Sequence, residues 1–125
     1  MQNELQVRRA GAALLAATGA IHLVLAPEYL GEQAYVGIGF ILGGIAALLI
    51  ATRLWRLRGS DQAAWTLGAL LCAGMAVGFV LSRTVGLPGF HESEWELSGI
   101  VSVLLEIGFV GCAATALRTP RSAIA

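Results

Sequence analysis

Four apolar runs divide the chain, at about 10 to 26, 36 to 54, 63 to 82 and 98 to 117. Each is long enough, or nearly so, to cross a hydrocarbon core of about 30 Å, which takes roughly 20 helical residues. In lipid a segment must satisfy its own backbone polar groups, and none of the runs shows the period-2 alternation of a membrane barrel. The pattern therefore predicts helices. The connections near 27 to 35, 55 to 62 and 83 to 97 are short, which makes sequential helices antiparallel neighbours. The predicted architecture is an all-α, up-down bundle of four transmembrane helices, a single domain over residues 1–125.

Composition agrees with this reading. The chain is 57% hydrophobic and 13% charged, whereas a soluble domain carries about 25% charged residues. Its 16 glycines and 3 prolines follow no repeat and form no linker, so no second domain or disordered arm is expected. The formal net charge of zero leaves no clustered basic face for phosphates, which excludes nucleic acid as a partner.

The distribution of charge sets an orientation. All positive side chains are arginines, and Arg8, Arg9, Arg53, Arg56, Arg58, Arg118 and Arg121 share one side of the predicted bundle, with Arg83 on the other. The positive-inside rule then places both termini in the cytoplasm. The opposite face receives Glu28, Glu32, Glu92, Glu94, Glu96 and His91. Trp55 and Trp65 are expected in an inner aromatic belt, and Tyr29, Tyr35, Phe90 and Trp95 in an outer one. Arg8 and Arg9 before AGAALLAATGA also look like a secretory signal. The apolar run continues through IHLVLA, however, so an uncleaved first helix is expected.

Candidate chemistry starts from one costly residue. Glu106 sits within SGIVSVLLEIGFVGCAATAL, about 13 Å along the helix from Leu97 and so near the midplane. Ser98, Ser102 and Glu106 recur every four residues and share a helix face, which Glu94 would continue if the helix extended that far. Helix one offers a counterpart in His22, one turn above Thr18, with Gly19 leaving room for a neighbour. Packing of helices one and four would set the imidazole and the carboxyl on opposite walls of one cavity. Rise per residue puts His22 roughly 7 Å higher than Glu106, which favours a water, a proton or a small group between them over a direct bond. Two readings stay open for Glu106: a structural acid bonded to Ser102 or a backbone carbonyl, and a functional one.

The outer loops, APEYLGEQAY and SRTVGLPGFHESEWE, each carry proline, aromatic and acidic residues, a faint internal repeat. Arg83 is expected to pair with Glu28, Glu32 or an acid of the third loop and draw the loops together. Gly86, Pro88 and Gly89 read as a tight turn folding that loop over the bundle as a lid. Glu92, Glu94 and Glu96 with His91 read first as a solvated acidic rim and second as a metal site. Gly39 and Gly43, and Gly74, Gly78 and Ser82, form small-residue ridges expected to close the bundle or a homodimer. Cys72 and Cys112 lack C-x-x-C spacing and read as small packing residues.

The segments HLVLAPEYL, LSRTVGLPG leading into an acidic Trp-containing loop, and VLLEIGFVGCAA together resemble uncharacterised small four-helix integral membrane proteins of bacteria. The resemblance runs over nearly the whole chain and implies the architecture but no activity. Size and helix number are also similar to the small multidrug resistance transporters. Those carry their essential glutamate in the first helix, where this chain has His22, and that departure argues against the assignment.

Three function classes follow. The first is an outward-facing cavity that binds or translocates a divalent transition metal, a proton or a small cation. Its metal ligands would be His22, Glu106, Glu28, Glu32, His91 and Glu92, with Thr18, Ser102 and Arg83 as further binding residues. The second is a redox protein holding haem or a quinone headgroup. A single intramembrane histidine and the lack of C-x-x-C-H weigh against haem. The third is a non-catalytic subunit docking on another membrane protein. No nucleophile triad, H-E-x-x-H or phosphate loop supports an enzyme.

Overall fold

The computed structural model describes residues 2–56 and 61–118, which form four helices: α1 (Gln2–Glu32), α2 (Ala34–Arg56), α3 (Gln62–Arg83) and α4 (Leu97–Arg118). Each is long and apolar enough to cross a membrane. Among the orientation-setting arginines, Arg58 and Arg121 lie outside the described residues.

α1 is longer than predicted at both ends. Its polar opening, QNELQVRRA, ends the hydropathy run but consists largely of good helix formers, so polarity and helicity part company there. At the other end the helix runs through Pro27, which costs one backbone hydrogen bond without stopping the chain. A single residue, Gln33, separates α1 from α2, and its N–H donates to the Tyr29 carbonyl at 2.8 Å. So tight a reversal needs Gly37, where a Cβ would stand 2.5 Å from the Leu30 backbone.

Asp61 fixes the opposite turn. Its Oδ1 accepts the Ala64 N–H at 3.0 Å, capping α3, and its Oδ2 accepts from Arg53 Nε at the end of α2. Arg53 beside the carboxylate, helped by the Ala64 N–H, holds the Asp61 carboxyl below its ordinary value.

The helices pack as a ring in which α1 contacts both α2 and α4, α3 contacts α4, and α2 and α3 touch least. In the arginine-rich half the ring is solid, with Leu15, Leu54, Trp65, Cys72 and Phe109 buried together. Gly11 and Gly68 make room there, since a Cβ on either would stand 2.6 Å from the Trp65 or Phe109 ring. Close packing of this kind, rather than expulsion of water, holds helices together in an apolar medium. The outer surface is aliphatic, with Leu42, Leu49, Leu70 and Leu104 all more than 60% exposed.

Two sequence expectations change. Trp55, Tyr35 and Trp95 are exposed near the helix ends, as belt residues should be, but Trp65, Tyr29 and Phe90 point inward and are buried. Within the bundle Gly39, Gly74 and Gly78 close no helix contact, since a Cβ on any of them would meet nothing within 4 Å, whereas one on Gly43 would stand 3.0 Å from Met75. Tight small-residue packing falls instead between α1 and α2, where Gly44 would clash with Leu23 at 2.7 Å and Gly19 with Ala47 at 3.0 Å. The room beside Gly19 is thus filled by α2. Cys72 is buried in the core and Cys112 packs against it, both as free thiols.

Candidate functional site: a cavity with a polar floor

The acidic half of the bundle encloses a cavity of about 450 Å³. Its walls are mostly apolar and come from all four helices, with Phe40 and Gly39 on α2 and Met75, Gly78 and Phe79 on α3. Gly39, Gly74 and Gly78 leave open wall along it, on the side where α2 and α3 touch least.

The floor is polar and is built where α1 meets α4. Thr18 Oγ1 donates to Glu106 Oε2 at 2.6 Å, and Ser102 Oγ reaches the same oxygen at 2.7 Å. The two hydroxyl oxygens are themselves 2.6 Å apart. Glu106 is 1% exposed, and spending two hydroxyls on one carboxyl oxygen is what such burial demands. Those bonds reach only Oε2.

His22 completes the floor. Its Nδ1 lies 2.8 Å from the Thr18 carbonyl oxygen. A carbonyl only accepts, so Nδ1 carries the hydrogen and donates. Nε2 is directed to Glu106 and stops 4.0 Å from Oε2, beyond hydrogen-bond range. Phe40 stacks on the imidazole with ring centroids 4.8 Å apart.

This approach is closer than rise per residue suggested. Side chains on a helix tilt toward its N-terminus. α1 and α4 run antiparallel, so His22 leans toward the basic end, Glu106 leans toward the acidic end, and the two converge.

The roof of the cavity is held by Arg83. Its guanidinium donates to Ser82 Oγ at 2.8 Å, to Tyr29 Oη at 3.0 Å and to the Glu94 carbonyl at 3.1 Å, and lies 3.9 Å from Glu96 Oε1. Phe79 covers it at 4.3 Å. Arg83 therefore meets an acid of the third loop, and among the described residues it makes no ion pair with Glu28 or Glu32.

The third loop, residues 84–96, folds over the bundle. Gln33 Nε2 donates to the Gly89 carbonyl at 3.0 Å and Tyr35 Oη to the Pro88 carbonyl. Phe90 is buried against Tyr29 and Val36. Gly86 and Gly89 supply the positive φ values, 88° and 65°, that the turn requires. Leu87 and Phe90 also line the cavity, so the loop closes its acidic end.

Of the residues singled out in the sequence, His22, Thr18, Ser102 and Glu106 come together at the floor and Arg83 stands at the roof of the same cavity. Glu28, Glu32, His91 and Glu92 are not part of it. His91 instead accompanies the Thr84 carbonyl at 3.0 Å, and Glu92 accepts a long bond from the Glu94 N–H. Among the described residues no three His, Cys, Asp or Glu side chains are grouped closely enough to hold a metal ion. Glu94 lies before α4 begins and does not extend the Ser98–Ser102–Glu106 stripe.

Tyr29, Phe40, Phe79 and Ser82 belong to the cavity but carry no signal of it in the sequence. Tyr29 reads as a belt residue, and the phenylalanines are indistinguishable from lipid-facing ones without knowing each helix's rotation. No protein-family model, curated protein or solved structure matches the chain.

Proposed function

We propose that the chain is a multi-pass protein of a bacterial plasma membrane, both termini cytoplasmic, that binds a small lipid-soluble organic molecule in this cavity. The molecule's polar head rests on the His22–Ser102–Glu106 floor, and its apolar body lies against Phe40, Met75 and Phe79. It enters from the bilayer through the glycine-lined gap between α2 and α3. Quinones and phenols are the kind of molecule that fits.

The carrying observation is the union, in one cavity of about 450 Å³, of apolar walls with a buried polar floor. That volume falls among ordinary small-molecule pockets, about 300–1,000 Å³, which combine apolar linings with a few convergent polar groups. A hydrated cation would be poorly served by such walls. A bare metal would need a third convergent ligand beside His22 and Glu106. Entry from lipid is supported by the fastened third loop, which closes the water-facing end, and by the open glycine faces. The aliphatic outer surface supports insertion.

Thermal unfolding of the detergent-solubilised protein tests this reading with three additions: a decyl-tailed benzoquinone, its hydroquinone and zinc. A saturable rise in Tm with either organic probe, and none with zinc, is expected. Stabilisation by zinc alone would replace this reading with the metal-binding one.

A further inference from the structure

The floor of the cavity has a definite polarity. His22 Nδ1 is committed as a donor by the Thr18 carbonyl 2.8 Å away. In its neutral form the imidazole holds one hydrogen, and its Nε2 then presents a bare lone pair. That nitrogen lies at the cavity wall, in a side chain only 12% exposed. Both nearby hydroxyls are engaged with Glu106 Oε2 and with each other, and the carboxyl itself is too far away at 4.0 Å. Among the described residues no side chain on the floor donates to Nε2. An acceptor facing the cavity in this way stays without a protein partner, and a ligand that covers it without donating to it buries it unpaired, at a cost in free energy.

We propose that the cavity selects molecules whose head is a hydroxyl, which donates to His22 Nε2, over the same molecules with a carbonyl or ether there. The ligand class is a lipid-soluble phenol or hydroquinone in preference to an oxidised quinone. A head that only accepts leaves two lone pairs facing each other. Selection of this type is strong because it leaves a buried polar group unpaired in the wrong complex.

This inference rests on the binding role proposed above, and its test separates the two. Binding of a 4-alkylphenol and of its methyl ether, matched in tail, is measured to the full-length protein in nanodiscs. The phenol is expected to bind about tenfold more tightly, the effect of one hydrogen bond to a buried acceptor. His22→Phe should reduce that ratio toward one, whatever its effect on the affinity for either molecule. Nitrogen NMR of histidine-labelled protein gives a second reading: a bare-nitrogen resonance at His22 Nε2 that moves with the phenol and not with the ether. Equal binding of phenol and ether, or a preference that survives in His22→Phe, overturns the selectivity and leaves the binding role standing. Binding of neither overturns both.

Discussion

His22 Nε2 and Glu106 Oε2 stand 4.0 Å apart on antiparallel helices, near enough to share a third group and too far to bond each other. Thr18 holds both of them. Its backbone carbonyl fixes the imidazole, and its hydroxyl fixes the carboxyl. A residue that is 0% exposed thus orients the whole floor.

Removing that hydroxyl leaves Glu106 with a single donor. Thr18→Val preserves the volume and removes one of the two hydrogen bonds to Oε2, and should cost about 1–3 kcal/mol. Glu106→Ala opens a cavity as well and should cost about 2–5 kcal/mol. Both are measured by unfolding in mixed micelles. A loss below about 0.5 kcal/mol for Thr18→Val would mean that the hydroxyl is not committed to the carboxyl.

At the other end, acid should loosen the α2–α3 turn. The Asp61 carboxyl is depressed in the folded protein below its ordinary value of 3.8, mainly by Arg53. Its contribution is therefore complete above the unfolded value and disappears as pH falls through the folded one. Asp61→Asn keeps a side chain that caps well but removes the charge pairing. The stability advantage of the wild type at about pH 6 should shrink as pH falls below the ordinary value of 3.8, and because Arg53 is 62% exposed that advantage is small. Melting curves of both proteins across this range check it, and an advantage independent of pH would count against the pairing.

The glycines should divide into two groups. Gly44→Leu drives a side chain into Leu23 and the Gly19 carbonyl at 2.7 to 3.0 Å, and should destabilise by about 1–3 kcal/mol or more. A Cβ at Gly78 meets nothing within 4 Å and Gly78→Leu replaces a poor helix former, so stability should hold or rise by up to about 1 kcal/mol. It should nonetheless abolish ligand binding by filling the cavity. Melting temperatures with and without a lipid-soluble phenol distinguish the two. A Gly78→Leu protein that binds normally would contradict the location of the site.

The gap between α2 and α3 can be probed without any ligand. A nitroxide attached to Gly39→Cys, with Cys72 and Cys112 replaced by alanine, should be relaxed by oxygen, which concentrates in the hydrocarbon, and not by a water-soluble nickel chelate. Accessibility to the chelate would mean that the opening faces water, and accessibility to neither reagent would mean that the helices close.

How much of this was legible in the sequence follows from what each signal measures. Hydropathy located four helices because a helix that faces lipid must be apolar along its length. It misplaced the ends of α1 because helix formation does not require apolar residues there. Glu106, Ser102, Thr18 and His22 stood out because polar groups at such depth need partners, and four-residue spacing put each pair on one face. Their separation was overestimated because counting rise locates Cα atoms, whereas antiparallel helices tilt their side chains toward each other. The glycine ridges could not be assigned from sequence. A run of small residues permits close approach at Gly44 and an open wall at Gly78 equally well, and only the neighbouring helix decides. Tyr29 and Trp65 carry the amphipathic chemistry of belt residues and were drawn inward by Arg83 and Phe109.

The central claim, that lipid-soluble molecules occupy the cavity between the α1–α4 floor and the third loop, is tested most directly by photolabelling in native membranes. A phenol bearing a small diazirine is irradiated with the full-length protein, and the modified residues are mapped by mass spectrometry. Labels on Met75, Phe79 and Phe40, suppressed by excess unlabelled phenol, are the predicted result. Labels confined to Leu42, Leu49 and Leu104 on the outer surface, or insensitive to competition, would contradict it.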